Sequence, residues 1–306
     1  MATSRTSILR GPGSVTYGGQ TFYDADGITA DVETTTQDVP SSVSGTLDTI
    51  KTDATGKVTF TPCGQLSADL LALLFPYGSA SIGASACGGT DRPLVVHSVG
   101  GTKVTFLNAV LSKMPELRLS PVKTSFGAAE FSAALALGKA PGEASSFYSS
   151  EAATYGLGAP DPAGITGIQY SATLGSGFSI TDTLDGWTVT PEVTLEPVTT
   201  DLLGTVDWTI ASIGCTATCT PLGLTESQIL AKLPIGTGRG ASLAGTDDLV
   251  ITGTDGLTVT LKNASVVRGP LQWGNTALRA GELQFRAHRA FSQGVAGALF
   301  TVEMAA

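Results

Sequence analysis

Apolar and polar residues alternate in short segments along most of this chain, and this period-2 pattern is typical of β-strands. The segments VTYGGQTFY, LVVHSVGGTKVTF and LVITGTDGLTVTL each place Gly-Gly or Asp-Gly between two alternating stretches. Glycine tolerates the positive φ that tight hairpin turns require. We therefore expect a mainly β chain built from antiparallel hairpins.

Two leucine-rich segments, SADLLALLFPYG and TESQILAKLPIG, break this alternation with helical spacing. Each is predicted to form one short helix. The helix starts are indicated by a capping box at Thr225 and Gln228 and by a weaker pair at Ser67 and Asp69. Each helix has one apolar face, formed by Leu70, Leu73 and Leu74 in the first and by Ile229, Leu230 and Leu233 in the second. Pro76 and Pro234 are expected to end the two helices.

The two halves of the chain repeat one another. Residues 26–64 align without a gap on 185–223, with thirteen identities in thirty-nine positions, where chance gives about three or four. Further on, the offset falls from 159 to 154 in small steps, so the deletions lie in turns while the strands keep their alignment. The chain is therefore predicted to be a tandem duplication.

The repeat predicts domains at residues 1–148 and 165–306, joined by a linker at 149–164. The Ala, Gly, Ser and Pro content of APGEASSFYSSEAATYGLGAPDPAG is typical of such a linker. Each domain is expected to be a small β-sandwich or half-barrel with one short α-helix over its apolar face.

Composition narrows the functional classes. The chain is 42% hydrophobic and 14% charged, with a net charge of −9 and no cluster of Lys or Arg that could hold nucleic acid by counterion release. Its four cysteines are too sparse for a disulfide framework, and buried reduced thiols are expected. No secretory signal is recognisable, and LLALLF is too short to span a bilayer.

Three common sequence motifs of enzymes and nucleotide-binding proteins do not occur in the sequence. It contains no G-x-S-x-G, H-E-x-x-H or phosphate-binding G-x-x-x-x-G-K-[ST] motif, and GTGRGAS lacks the lysine of the last. The two histidines, His97 and His288, align with Thr252 and Ala134 in the other copy and are expected to be exposed strand residues. We predict no catalytic, cofactor-binding or metal-binding residues.

The segments SILRGPGSVTYGGQTFYDADGI, VTFTPCG, LLALLFPYG, DRPLVVHSVGGTKVTFLNAVLSKMPELRLSP and FGAAEFSAAL together resemble the tail tube (major tail) proteins of long-tailed bacteriophages. The resemblance is strongest over residues 7–140. It implies tube domains that close into ring-shaped β-barrels, which stack into a conduit for DNA. Members of the family carry mostly one tube domain and form hexamers, so a tandem pair implies three chains per ring.

The resemblance also implies partners and a location. The chain would bind copies of itself, a tape measure protein and tail-end proteins, without specific DNA binding and without a membrane. It would be assembled in the host cytoplasm and reside in the virion tail.

Acidic side chains alternate along the strands that are expected to line such a tube. Asp31 and Glu33 share one face in the first copy, and Glu192 and Glu196 share the corresponding face in the second, opposite Val189, Val193 and Leu195. We expect these four carboxylates to face the lumen, where like charge repels phosphate. The open alternative is an ordinary solvated strand face.

The Pro, Ser, Thr and Gly content of TTTQDVPSSVSGTLDTI and TLEPVTTDLLGTVDWTI predicts extended loops or long hairpin tips. The resemblance to tail tube proteins implies that such loops reach the next ring. The candidate residues of this inter-ring segment are Asp38, Asp48, Asp201 and Asp207. Asp48 and Asp207 recur after Gly-Thr in both copies, and a local turn role is weighed there against pairing across an interface.

Other functions stay open on the sequence alone. One is a carbohydrate- or surface-binding β-sandwich of the adhesin type, although aromatic residues for stacking sugars are few, at 7%. Another is a different tail component, such as a distal tail, terminator or head-decoration protein. The third is a glycoside-active enzyme that uses two carboxylates.

Overall fold

The structure is a computed structural model of the chain. It describes residues 13–24, 26–41, 45–63, 66–98, 102–121, 124–136, 148–152, 169–200, 204–233, 238–239, 241–243, 245, 247–273, 278–289, 291–292 and 295–304.

The first half contains twelve strands and one helix among these residues. They are β1 (Gly13–Tyr17), β2 (Gln20–Asp24), β3 (Thr29–Ser41), β4 (Gly45–Phe60), β5 (Pro62–Cys63), α1 (Ala68–Leu74), β6 (Leu94–Ser98), β7 (Thr102–Phe106), β8 (Asn108–Lys113), β9 (Leu117–Leu119), β10 (Thr124–Phe126), β11 (Ala129–Ala134) and β12 (Tyr148–Ala152).

The second half follows a closely similar order. Its described elements are β13 (Tyr170–Leu174), β14 (Ser179–Ile180), β15 (Asp182–Thr200), β16 (Gly204–Leu222), α2 (Glu226–Lys232), β17 (Leu249–Gly253), β18 (Leu257–Leu261), β19 (Ser265–Arg268), β20 (Leu271–Trp273), β21 (Leu278–Ala280), β22 (Leu283–Arg286), β23 (Phe291–Ser292), β24 (Val295–Ala296) and β25 (Phe300–Met304).

The repeat extends to the register of the longest hairpins. In β3–β4, Glu33 lies opposite Thr55, and in β15–β16 the equivalent Glu192 lies opposite Gly214. Both ladders also contain a bulge at the same place, because Thr52 and Ala211 are each skipped by the pairing. Bulges are specific features of a fold, so their recurrence at an offset of 159 shows that the two hairpins are equivalent in structure.

Local sequence accounts for the turns and helix starts. The β1–β2 hairpin turns at Gly18 and Gly19, which have φ of 56° and 83° as a type I′ turn requires. Ser67 accepts a hydrogen bond from the Leu70 amide at the start of α1. At the start of α2 both bonds of the predicted capping box, between Thr225 and Gln228, are present.

The sheets are all antiparallel, and they confirm the mainly β fold with one short helix in each half. Four sheets of four to six strands and two of two strands are present among the described residues. The larger sheets form a propeller-like arrangement, and the described strands of the single chain do not close into a barrel. One continuous cluster of buried residues includes side chains of both halves, such as Phe60, Phe131, Trp187 and Phe285.

Among the described residues, 35–41 and 45–50 pair across β3 and β4, so they follow the hairpin alternative of the prediction and not the loop alternative. Two local expectations differ from the structure. Leu230 is 39% exposed, so Ile229 is the buried residue at the centre of α2. His288 follows β22 and is half-buried, with its Nε2 2.8 Å from Ser265 Oγ, so it is not an exposed strand residue.

The predicted domain limits stay predictions. β12 starts at the end of predicted domain 1 and continues into the predicted linker, and it pairs with β7. In the second half, β25 pairs with β18 in the equivalent register.

Candidate assembly interface

A hairpin of the first half extends a sheet of the second half. The strands β9 and β10 pair with each other, and β9 also pairs with the outer edge of β15. Leu117, Arg118 and Leu119 lie opposite Val189, Thr188 and Trp187 respectively. The resulting six-stranded sheet has the order β10-β9-β15-β16-β22-β19 and therefore crosses between the halves.

Apolar side chains seal this junction. Leu117 and Leu119 are 0% and 1% exposed, and Trp187 and Val189 are each 1% exposed. The Trp187 ring also lies 5.7 Å from that of Phe285, a residue of the second half's own core. Burying a side chain of this size contributes about 1.5–3 kcal/mol to the free energy of unfolding, relative to leaving it exposed. The junction therefore contributes substantially to the stability of the folded chain.

Close backbone approach at the junction requires a glycine. Gly186 has φ of 83°, and a Cβ built there would lie 2.0 Å from the carbonyl oxygen of Leu119. No side-chain carbon tolerates that separation, and the positive φ is itself unfavourable for other residues. Gly186 therefore lets β9 approach the start of β15.

A hydroxyl network anchors the second strand of this hairpin. The Tyr170 hydroxyl lies within hydrogen-bond distance of Thr124 Oγ1 and donates to Asp255 Oδ2 at 3.0 Å. Because the Tyr170 hydroxyl donates its hydrogen bond to the Asp255 carboxylate, it accepts the hydrogen bond of the Thr124 hydroxyl. Burial raises the pKa of Tyr170, and the nearby Asp255 charge raises it further. The phenol stays protonated at neutral pH and keeps this link between the halves.

A second strip of the first half, residues 83–87, lies along β16. The Gly83 and Ala86 amides donate to the Ile210 and Trp208 carbonyls at 2.8 and 2.7 Å, and the Ile210 amide donates to Ala84 at 3.1 Å. These bonds satisfy backbone groups of β16 beyond the part that pairs with β22, which is residues 216–219.

Asp207 lies at this second contact. Its Oδ1 accepts from the Trp208 amide at 2.7 Å and from the Cys87 amide of the first half at 3.4 Å. Burial by itself would raise the pKa of Asp207, but hydrogen bonds from Ser85, Cys87 and Trp208 together hold it below its usual value. Asp207 therefore accepts hydrogen bonds both from its own strand and from the first half. This contact between the halves concerns the interface role that the sequence left open for Asp207 beside a local turn role.

The other predicted inter-ring residues have different positions. Asp38 and Asp48 are exposed on β3 and β4 near the tip of the first long hairpin. Asp201 lies outside the described residues. The predicted inter-ring role of these three residues stays a prediction.

The predicted lumen residues are all exposed. Asp31 and Glu33 lie on β3, and Glu192 and Glu196 lie on β15. On β15 the burial alternates as expected, with Val189 buried and Val193 and Leu195 half-buried on the opposite face. The four carboxylates thus lie on solvent-facing hairpin surfaces of the single chain, and their lumen position stays a prediction.

The four cysteine thiols are buried or half-buried. Cys87, Cys215 and Cys219 are buried, and burial raises the pKa of the Cys87 thiol to about 12. Cys63 is half-buried. Within the described ranges, no three His, Cys, Asp or Glu side chains cluster as a metal site.

The β9–β15 junction was not predicted from the sequence. The signal was present in two places: Leu-Arg-Leu at 117–119 aligns with Leu-Gln-Trp at 271–273, and Gly27 aligns with Gly186. Both are conspicuous only once the pairing is known, because strand alternation does not reveal which edge accepts which hairpin.

No protein-family model matches the chain, and no curated protein matches it either. In the part of the chain that the structure describes, no helix is long and apolar enough to cross a lipid bilayer.

Proposed function

We propose that this chain is a tail tube subunit of a long-tailed bacteriophage, a virion structural protein without catalysis. The observation that carries the proposal is the β9–β15 junction: one copy of a duplicated β domain completes the sheet of the other copy by adding a hairpin to its edge. A tube built of rings needs this kind of contact between successive domains, because each domain must give a strand and receive one.

Closure into a ring would pair the exposed edges of the sheets. Exposed edges carry unpaired backbone groups that pair with other chains and must be covered. Three chains, each with two equivalent domains, would place six domains around an axis and give true threefold with pseudo-sixfold symmetry. The ring-shaped β-barrel is then a property of the assembly, whose partners would be further copies, a tape measure protein and tail-end proteins.

The charge of the chain suits a DNA conduit. With a net charge of −9 and exposed Asp31, Glu33, Glu192 and Glu196 on the long hairpins, a wall formed by these strands would repel phosphates. DNA would pass without specific contacts, since basic clusters of the kind that hold nucleic acid are missing from the sequence.

The first test is the assembly state of the purified chain at high concentration, measured by light scattering and negative-stain microscopy. We expect trimers, or hollow rods with a regular ring repeat. Persistent compact monomers would contradict the proposal, and binding of such monomers to a glycan array would favour the surface-binding module. Closed rings that never stack would favour a terminator or distal tail protein.

The charged lining has its own test. Reversal of Glu33 and Glu192 to Lys in the virion should leave tails intact and slow DNA delivery, because cationic side chains would then hold phosphates. The matched control is replacement of both residues by Gln, which removes the negative charge without adding a cation that binds phosphate. The Gln variant should slow DNA delivery less than the Lys variant does. Unchanged delivery by the Lys variant would contradict the lumen position.

A further inference from the structure

The edge that β9 covers in the second half has an equivalent in the first half that no described strand covers. β3 corresponds to β15, and among the described strands β3 pairs with β4 alone, at the end of the sheet order β3-β4-β11-β8. The hairpin that corresponds to β9–β10 is β20–β21, and its two described strands pair with each other as a separate sheet. Among the described strands, one hairpin and one edge of the same type therefore have no partner of the β9–β15 kind.

The two hairpins are built alike. In β9–β10, Leu117 lies opposite Phe126, and in β20–β21, Leu271 lies opposite Ala280, which is the same register at an offset of 154. The same backbone bond also closes the base of each. Gly127 donates to the Glu116 carbonyl at 2.7 Å, and Gly281 donates to the Pro270 carbonyl at 2.7 Å.

The receiving site is also prepared in the first half. Gly27 is the equivalent of Gly186 and has φ of 111°. Where a Cβ at Gly186 would meet the Leu119 carbonyl, a Cβ at Gly27 would meet no heavy atom of the described residues within 4 Å. The space that β9 fills beside Gly186 is therefore not filled by a described residue beside Gly27.

We propose that β20 of one chain pairs with the start of β3 of a second copy. The register follows from the junction within the chain: Trp187↔Leu119, Thr188↔Arg118 and Val189↔Leu117 transfer to Ile28↔Trp273, Thr29↔Gln272 and Ala30↔Leu271. This contact rests on the proposed function, since it names the surface through which chains would join into rings.

A second copy is the occupant because the contact within the chain is one-directional. Were the halves related by a closed twofold, β20 would pair with β3 of its own chain while β9 pairs with β15. Instead, β20 pairs with β21 alone among the described strands. A head-to-tail contact leaves one surface of each kind exposed at the ends, and these complete one another only between chains.

The test uses two singly substituted full-length chains, Thr29→Cys and Gln272→Cys, each in a Cys63→Ser background because Cys63 is half-buried. Opposed residues of antiparallel strands bring their Cβ atoms within disulfide reach. After oxidation, a mixture of the two chains should give a covalent dimer at least about tenfold more abundant than either chain alone gives.

Two matched controls calibrate the yield. The pair Arg118→Cys and Thr188→Cys in one chain reproduces the junction that already exists and should form a disulfide within the monomer. The pair Asp31→Cys and Gln272→Cys on separate chains is two residues out of register, about 6.6 Å along the strand, and should form little dimer.

The outcomes separate this contact from the proposed function. Cross-linking together with closed rings supports both, and cross-linking in open chains without rings supports the contact and overturns the tube. Rings without cross-linking, when the 118–188 control reacts, overturn the contact and leave the tube in place. Monomers at every concentration overturn both.

Discussion

The long hairpins of the two halves differ where their ladders are interrupted. In the second half the ladder skips residues 184–186, between Thr183↔Pro221 and Trp187↔Cys219, inside the strand β15. In the first half the equivalent gap, between Asp24↔Pro62 and Thr29↔Thr59, separates β2 and β5 from β3 and β4. In the first half a turn follows β2, where Asp24 accepts from the Gly27 amide and, at 2.8 Å, from the Thr61 amide. Thr183 occupies the Asp24 position in the second half.

Edge coverage accompanies this difference. After the gap, the second-half ladder resumes one pair earlier, at Trp187, which is also where β9 covers the outer side of β15, whereas β3 has no described strand on that side. Backbone groups of a covered strand gain partners on both sides. The comparison teaches that equivalent sequences differ in pairing where one copy has its neighbour and the other does not.

The largest expected effects come from the equivalent core residues Phe131 and Phe285, which are 1% and 0% exposed. Either Phe→Ala change should lower the free energy of unfolding by about 3–5 kcal/mol, as measured by urea denaturation. Phe131 stacks on Phe60 and Phe285 contacts Trp187. A loss below about 1 kcal/mol for either variant would show that its half is not packed as described.

The glycine pair tests the comparison directly. Gly186→Ala should destabilise the chain by about 2–4 kcal/mol, because strain at positive φ adds to a clash with the Leu119 carbonyl. Gly27→Ala should cost about 1–2 kcal/mol in the monomer, because it meets the φ strain alone. Equal losses in parallel urea denaturation would contradict the difference in coverage.

The helix starts give a smaller contrast. Thr225→Ala removes a full capping box and Ser67→Ala removes one bond, so both should lose about 1 kcal/mol, the former a few tenths more. Thr225→Ser is the matched control, since it keeps the acceptor oxygen. Thermal melts of the four proteins measure the order, and a neutral Thr225→Ala would show that the box does not stabilise α2.

The smallest effect is a pH dependence confined to the second half. Burial lowers the pKa of His288 from its ordinary 6.5, and the Arg286 charge lowers it further. The unfolded chain then binds the proton more readily than the folded one, so the contribution of His288 is present above pH 6.5 and is lost as the pH falls below it.

His288→Ala places the first half's Ala134 at that position and should flatten the slope of Tm against pH between about 5 and 7. Ser265→Ala, which removes the hydroxyl 2.8 Å from His288 Nε2, serves as the companion variant that keeps the titrating ring. An unchanged slope in His288→Ala would assign the pH dependence to other groups.

Local signals predicted much of the fold. The glycine turns, the helix caps and the duplication itself depend on residues close in sequence or on direct comparison of the two copies. The Gly18-Gly19 turn and the Thr225 capping box appear as expected. So does the alternation of Glu192 and Val193 along the strand.

The junction could not be predicted because it depends on which edges meet. Leu117 and Leu119 alternate with Arg118 as in any half-buried strand, and nothing in that pattern identifies β15 as the neighbour. The same limit explains β12, whose strand begins in a segment with the composition of a linker and is held by β7. Long-range pairing overrides local composition in both cases.

The bulges at Thr52 and Ala211 change the shape of the long hairpins without changing their faces. Ser212 lies opposite Thr194 and Ile210 lies opposite Leu195, so a chain that lacks Ala211 can keep both pairs, and the carbonyls of Trp208 and Ile210 then still point toward residues 83–86. The deletion removes the extra residue that bends the strand and increases its twist. A one-residue deletion in either hairpin would thus straighten the hairpin locally while leaving its paired residues, its charge and its core almost untouched.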